Sequence, residues 1–269
     1  MARSRQPVSE SGKARLLDML LERLYEAAVP RLADKRVQDV RIGNQLVGVL
    51  LDSGELGAAY ALPGERRIVE PVFPDPAPFI GMPAADLAAR LLEPDLVSRA
   101  LGLAVCNAVA QPDPSRCLED PDVATTVPVR PTDTVGLIGL IHSMHRRLAG
   151  WAAHLIVFDR SLEGEPGIRP VEQQPELLPL CDVVFVTGSA VTNGTLEAVL
   201  PWCTKAREVV VIGPSTPLYP EVFAGTGVTV IAGATWLPQH HARALEGIAA
   251  GLGFHDMADL SRRWALRVR

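Results

Sequence analysis

The sequence predicts an α/β protein in two parts, a small α+β domain followed by a doubly wound parallel-sheet domain. Three observations carry this. In the first half, short β-like segments precede helical ones; in the second half the two kinds alternate; and a proline-rich stretch over 111–133 separates the halves. Strands that precede helices give an α+β unit, whereas alternation gives a parallel sheet covered on both faces.

The first domain spans 1–110. It opens with a helix over 11–29, where Leu16, Leu17, Leu20, Leu21 and Leu24 recur at helical spacing until Pro30 ends the run. A strand is expected at 37–42, where Val37, Val40 and Ile42 are interleaved with polar residues, with a return strand at 46–51. Gly43-Asn44 suits a two-residue hairpin turn between them, because both residues tolerate positive φ. A third strand is expected at 57–62 and helices at 83–92 and 94–109. Pro83 and Pro94 stand where a first-turn proline costs no hydrogen bond.

The stretch 111–133 holds Pro112, Pro114, Pro121, Pro128 and Pro131 beside Asp113, Glu119, Asp120 and Asp122. Proline fixes φ and removes donors, so this segment reads as an extended, surface-lying connector. The second domain, 134–269, has short apolar runs at 135–141, 154–158, 183–187, 209–212 and 228–231, separated by helical segments near 143–151, 194–204 and 238–250. Runs apolar on both faces mean buried parallel strands, and this half reads as Rossmann-like. Arg262, Arg263, Arg267 and Arg269 read as a solvated tail.

Composition narrows the partners. Twenty-six basic against 31 acidic residues leave a net charge of −5, without the basic face that nucleic acid requires. No apolar run of membrane-spanning length exists, and the polar N-terminus has no signal-peptide core. Cys106, Cys117, Cys181 and Cys203 form no CxxC pair, which fits reduced thiols in a cytoplasmic protein.

In an open parallel sheet, ligands bind beyond the carboxyl ends of the strands. After the first strand of the second half, Gly136, Gly139 and Ser143 do not make a GxGxxG fingerprint, which argues against a dinucleotide. Asp159 after the second strand suits a ribose diol, or an ion pair with Arg160 or Arg169. The third strand runs into Thr187-Gly188-Ser189-Ala190-Val191-Thr192-Asn193-Gly194-Thr195, where glycines and short polar side chains surround a helix start. Such a loop can cradle an anion on free N–H groups, or simply cap a helix. Gly213-Pro214-Ser215 follows the fourth strand and Gly233-Ala234-Thr235 the fifth, on the same edge. His142 and His145, three apart at a strand–helix junction, are candidate metal ligands. No GxSxG, HExxH or Walker loop is present.

Residues 179–195 (PLCDVVFVTGSAVTNGT), 206–215 (AREVVVIGPS) and 227–233 (GVTVIAG) resemble the DUF364 family, which is described in terms of heavy-metal chelation. Residues 39–50 (DVRIGNQLVGVL) and 100–109 (ALGLAVCNAV) resemble the DUF4213 domain that precedes it. The resemblance implies an enolase N-terminal-like first domain, a Rossmann-like second one, and a site in the cleft between them. By motif position it carries over Asn107, Gly188, Asn193, Gly194, Thr195, Gly213, Pro214 and Ser215, with Asp159 where the family tends to have an acid. Gln45-Leu46 departs from an expected Trp-Thr pair, and 142–145 from an expected apolar stretch.

Three functions compete on these residues. One is a small-molecule or metal-chelate binding protein of heavy-metal homeostasis, taking a divalent transition metal or a nucleotide-like ligand in the interdomain cleft. Another is an enzyme using a cofactor such as S-adenosylmethionine, with Asp159 on the ribose. The last is a structural homodimer.

Overall fold

The structure, a computed structural model, describes residues 10–61 and 75–268, with the side chains of the first helix from Met19 onward. That helix, α1 (Glu10–Ala28), leads into an antiparallel meander of β1 (Val37–Ile42), β2 (Leu46–Leu51) and β3 (Leu56–Tyr60). Helices α2 (Ala84–Ala89) and α3 (Leu96–Ala108) follow. Leu20, Leu21 and Leu24 are buried, as their spacing predicts; the side chains of Leu16 and Leu17, and all of Leu62, lie outside the described residues. Asp95 starts α3 by accepting from the Ser98 N–H at 2.8 Å, satisfying one of the donors a helix start leaves free.

The hairpin turn differs from expectation. Gly43 N donates to Leu46 O at 2.8 Å, so the turn is centred on Asn44-Gln45, and none of these residues has positive φ. Gly43 serves another purpose. A Cβ there would lie 2.0 Å from the Ile248 carbonyl, so only glycine lets the last helix come this close. Gln45 Nε2 donates to Gly251 O just past that helix at 3.4 Å, and the buried Leu46 packs in one cluster with Ala244, Leu245 and Ile248.

The second half forms a seven-stranded sheet. It contains α4 (Val123–Thr126), β4 (Thr134–Ile138), α5 (His142–Ala149), β5 (His154–Phe158), β6 (Ile168–Arg169), α6 (Gln174–Leu177), β7 (Val183–Thr187) and the single turns α7 (Ser189–Thr192) and α8 (Leu196–Val199). Then come β8 (Glu208–Ile212), α9 (Pro220–Phe223), β9 (Val230–Trp236), α10 (His241–Ala249) and β10 (Ser261–Arg267). The strand order is β10-β9-β8-β7-β4-β5-β6, parallel except for the antiparallel edge strand β10. From β4 the chain winds one way to β6 and from β7 the other way to β9. This is the doubly wound arrangement, with its switch point between β4 and β7.

Two expectations give way here. The connector is partly folded: α4 lies within it, and Val123 and Val127 are buried against the second sheet. Leu118 N also donates to Ala265 O at 2.9 Å. The arginine-rich end is a strand and not a tail. Arg262 stacks over Trp264 at 4.1 Å, the Trp264 indole donates to Thr235 Oγ1, and Arg267 pairs with Glu208 at 2.8 Å.

One apolar cluster runs through both parts. It joins Leu24, Leu101 and Val105 of the first half to Val184, Tyr219 and Phe223 of the second. Each fully buried large side chain contributes about 1.5–3 kcal/mol, so the two sheets are held together by the core itself. Tyr219 is the polar pin of this contact. Its hydroxyl donates to the Cys106 carbonyl at 2.6 Å, and Arg31 lies 4.8 Å over its ring.

Candidate functional site

The turns after β7 and β8 lie side by side, against the middle of β9. Gly188 N donates to Ile212 O at 2.7 Å, and Gly213 N donates to Ala232 O at 3.0 Å. Thr216 sits between two close-packed glycines. A Cβ on Gly188 would come 2.6 Å from Thr216 Oγ1, and one on Gly233 would come 2.8 Å from Thr216 O. Gly213 has φ +133°, open only to glycine. Two of the three polar turns singled out in the sequence therefore converge, whereas 233–235 is no turn: it lies inside β9, paired with β10.

What they converge on is the small sheet. Odd-numbered residues of β3 bond to β2, as Leu51 N to Glu55 O and Ala61 N to Gln45 O mark at its two ends. The polar groups of Ala58 and Tyr60 consequently face the free edge of β3. Asn107 Nδ2 of α3 donates to Ala58 O at 3.0 Å, and Tyr60 N donates to Ser215 Oγ at 2.7 Å. An unpaired edge needs such cover, and two of the predicted site residues supply it. Their adjacent bonds on one edge bring the end of α3 and the turn after β8 to the same place. Gly57 permits this, since a Cβ there would lie 2.0 Å from Ala104 O of α3.

The expected anion cradle is not formed. The N–H groups of Gly188, Val191, Asn193 and Gly194 donate to Ile212 O, Gly188 O, Ser189 O and Val191 O, and Ser189 N leans on Thr187 Oγ1 at 3.4 Å. Thr195 N and Oγ1 both donate to Asn193 Oδ1, at 3.0 and 2.7 Å. Asn193, Gly194 (φ +71°) and Thr195 thus make a self-contained turn between α7 and α8. A single-turn helix also has too few aligned peptides for a useful dipole. Most of the main-chain N–H groups of this loop are therefore engaged within the protein.

Three side-chain atoms around it are without a partner. Asn107 Oδ1, Thr192 Oγ1 and Thr216 Oγ1 are buried with no hydrogen-bond partner. Thr192 is fully buried and Thr216 is 2% exposed. The amide of Asn107 is oriented by its bond to Ala58 O, so the unpaired atom is the oxygen. Ala190, Val191 and Gly194 face Leu20 and Leu21 of α1. At 100° per residue, Gly188 and Thr192 lie on the other side of α7, toward α3 and β3, which α7 also contacts. Since Thr216 Oγ1 lies beside Gly188, all three oxygens belong to segments that meet at one seam. Thr216 belongs to the polar turn 213–217 that the sequence marks at this sheet edge, although it is not among the candidate site residues. Pro214 is half-buried beside it.

The other candidates fall away from the seam. Both Asp159 oxygens are occupied, Oδ2 by Leu140 N at 2.8 Å and Oδ1 by Ser161 N and Oγ at 2.9 and 2.6 Å. The carboxylate ties the ends of β4 and β5 together, and it pairs with neither Arg160 nor Arg169. His142 is exposed on α5, with His145 half-buried one turn later. Among the described residues, which include every histidine and cysteine, no group of three or more His, Cys, Asp or Glu could hold a metal ion. Burial pushes the thiols of Cys106 and Cys181 up to about 12 and that of Cys203 to about 11, so they stay protonated. A soft metal prefers thiolate, and the seam offers only neutral oxygen.

Comparison with known proteins fits this architecture. A family model described as "Putative heavy-metal chelation", DUF364, matches residues 122–267, and a second with the same description, DUF4213, matches residues 25–110. An uncharacterised protein of Methanocaldococcus jannaschii is 32% identical over 143 residues, covering 51% of this chain and 54% of its own length. The chain thus spans about half of that relative. The crystal structure of a DUF364 protein of unknown function from Pyrococcus horikoshii matches with a TM-score of 0.75 at 24% identity, over 93% of this chain and all of the other. One from Desulfitobacterium hafniense matches with a TM-score of 0.70 at 20% identity, over 91% and 98%. At those identities the likeness concerns the fold alone. With more than half its length matched by the first model, the chain belongs to the DUF364 family, its N-terminal part being a DUF4213 domain.

Proposed function

We propose that this protein binds a small molecule at the seam between the free edge of β3 and the turns after β7 and β8. The observation that carries this reading is the set of buried polar atoms without partners, the acceptor Asn107 Oδ1 and the hydroxyls Thr192 Oγ1 and Thr216 Oγ1, which can donate as well as accept. A buried polar atom left unpaired costs about 1–3 kcal/mol, and folded proteins leave few of them without reason. Here three gather at the strand ends where doubly wound sheets bind ligands.

The family description suggests heavy-metal chelation, and the donor set refines it. Neutral oxygens and protonated thiols do not fit a soft metal held directly by the chain. In this reading a metal reaches the protein inside an organic chelator, whose own donors hold the ion while the seam holds the chelator. The test is mass spectrometry of material released on denaturing the freshly purified protein, beside the Thr192→Val and Thr216→Val variants. A stoichiometric small molecule that both variants lose supports the proposal. Release in equal amounts from all three proteins places the ligand elsewhere and ends it.

A further inference from the structure

Resting on that reading, we infer that Tyr219 and Arg31 are positioning residues of the seam: they cap the end of α3 from outside and so set where Asn107 presents its unpaired oxygen. The last carbonyls of a helix have no partner within it, and a local signal, commonly a glycine, supplies one. α3 carries no such signal. Its cap residue is Val109 at φ −97°, and its last turn has no basic side chain. Ala110 N, which would close the turn on Cys106 O, donates instead to Asn107 O at 3.3 Å. The Cys106 carbonyl is taken by the Tyr219 hydroxyl at 2.6 Å, and Arg31 Nη1 donates to Val109 O at 3.4 Å. A cation there also suits the negative end of a helix of this length.

Each of the two residues is itself fixed. The Arg31 guanidinium lies 4.8 Å over the Tyr219 ring and 3.6 Å from the Glu221 carboxylate. Burial holds the Tyr219 phenol well above the usual tyrosine range, so its hydroxyl keeps the proton that it donates. Tyr219 also closes the loop that begins at Gly213, on which Ser215 accepts from Tyr60 N and Thr216 carries its unpaired hydroxyl. Cys106 directly precedes Asn107. One bond between buried atoms therefore ties the loop of Thr216 to the turn of Asn107. The bond from Asn107 Nδ2 to Ala58 O, at 3.0 Å, then orients the amide. Without the Tyr219 hydroxyl the fully buried Cys106 would leave its carbonyl unpaired, and the turn would loosen in search of a donor.

The test is hydrogen exchange by NMR on the isotope-labelled full chain. It follows the Asn107 side-chain amide, assigned through its loss in Asn107→Ala, beside the main-chain amide of Val184, buried on β7 in the centre of the sheet. Tyr219→Phe keeps the ring under Arg31 and removes only the hydroxyl. It should speed exchange of the Asn107 amide by about tenfold or more relative to Val184. Arg31→Met should act in the same direction by a smaller factor, and Arg31→Lys, which keeps a cation at the helix end, should recover part of that loss. A general loss of stability accelerates both amides alike. Equal acceleration, or an Asn107 rate that Tyr219→Phe leaves unchanged, therefore overturns the inference. No ligand enters this measurement: its failure removes the positioning roles and not the seam, whereas a failed release experiment removes the ligand and not this cap.

Discussion

The two ends of the seven-stranded sheet solve opposite problems. At the end where the parallel strands begin, charges are paired, with Asp133 buried and the others partly exposed. Arg207 forks onto Asp133 and reaches Pro128 O, Asp182 accepts from Thr134 N at 3.0 Å and pairs with Lys205 at 2.9 Å, and Glu208 holds Arg267 and Thr229. At the end where they finish there is no buried charge, and three of the four unpaired buried polar atoms among the described residues collect there. One end is satisfied internally but for Arg207 Nε, and the other is left in want of a partner. Stability and binding should therefore respond to different substitutions.

The sharpest way to break that separation is Gly57→Ala. Its Cβ would meet Ala104 O at 2.0 Å and Ala108 N at 2.3 Å, both backbone atoms of α3. We expect a loss of about 3 kcal/mol or more in denaturant unfolding, with binding lost because Asn107 moves with the helix. Next comes Asp133→Ala, which strips Arg207 of its partner and should cost about 2–3 kcal/mol. Ligand binding at the seam should survive it; a matching loss of binding would show that the two ends are coupled.

Acid titration reads the same pair. The hydrogen bond from Arg207 holds the Asp133 carboxyl below the usual carboxylate range. A depressed folded value means that this contribution is complete above the ordinary value of about 3.9 and is lost as pH falls toward the folded one. The wild-type protein should lose stability over that interval more steeply than Asp133→Asn.

At the other end, Ser215→Ala removes the acceptor of the Tyr60 N–H on a covered strand edge. It should cost about 1–3 kcal/mol and loosen the small sheet from the turn, visible as faster hydrogen exchange at Tyr60. The smallest expected effect on stability is that of Thr192→Val. Because the hydroxyl it removes has no partner, the melting temperature should hold or rise slightly. A drop of more than about 1 kcal/mol would mean that the hydroxyl is paired within the protein.

The fold was legible where burial and propensity agree. β5 and β7 are apolar, β-branched runs with the boundaries that the sequence predicts. β10 was hidden because an edge strand needs few apolar residues, and its arginines stack and pair outward. The rim was legible as a place and not as a chemistry. Glycines and hydroxyls mark the turns after β7 and β8, yet the bond from Gly188 N to Ile212 O joins segments far apart in sequence, so the use of the amides could not be read locally. Asn107 was reached through family resemblance alone, since its role depends on the free edge of β3. Thr216 was legible as part of the polar turn after β8 and not as a site residue, since its unpaired hydroxyl depends on the packing of Gly188 and Gly233 around it.

The central claim is tested most directly by a crystal structure of the freshly purified protein, resolved well enough to place water. The account predicts density too large for one water molecule within hydrogen-bonding distance of at least two among Asn107 Oδ1, Thr192 Oγ1 and Thr216 Oγ1. A single water bridging those atoms, or hydroxyls turned onto main-chain carbonyls, would contradict it.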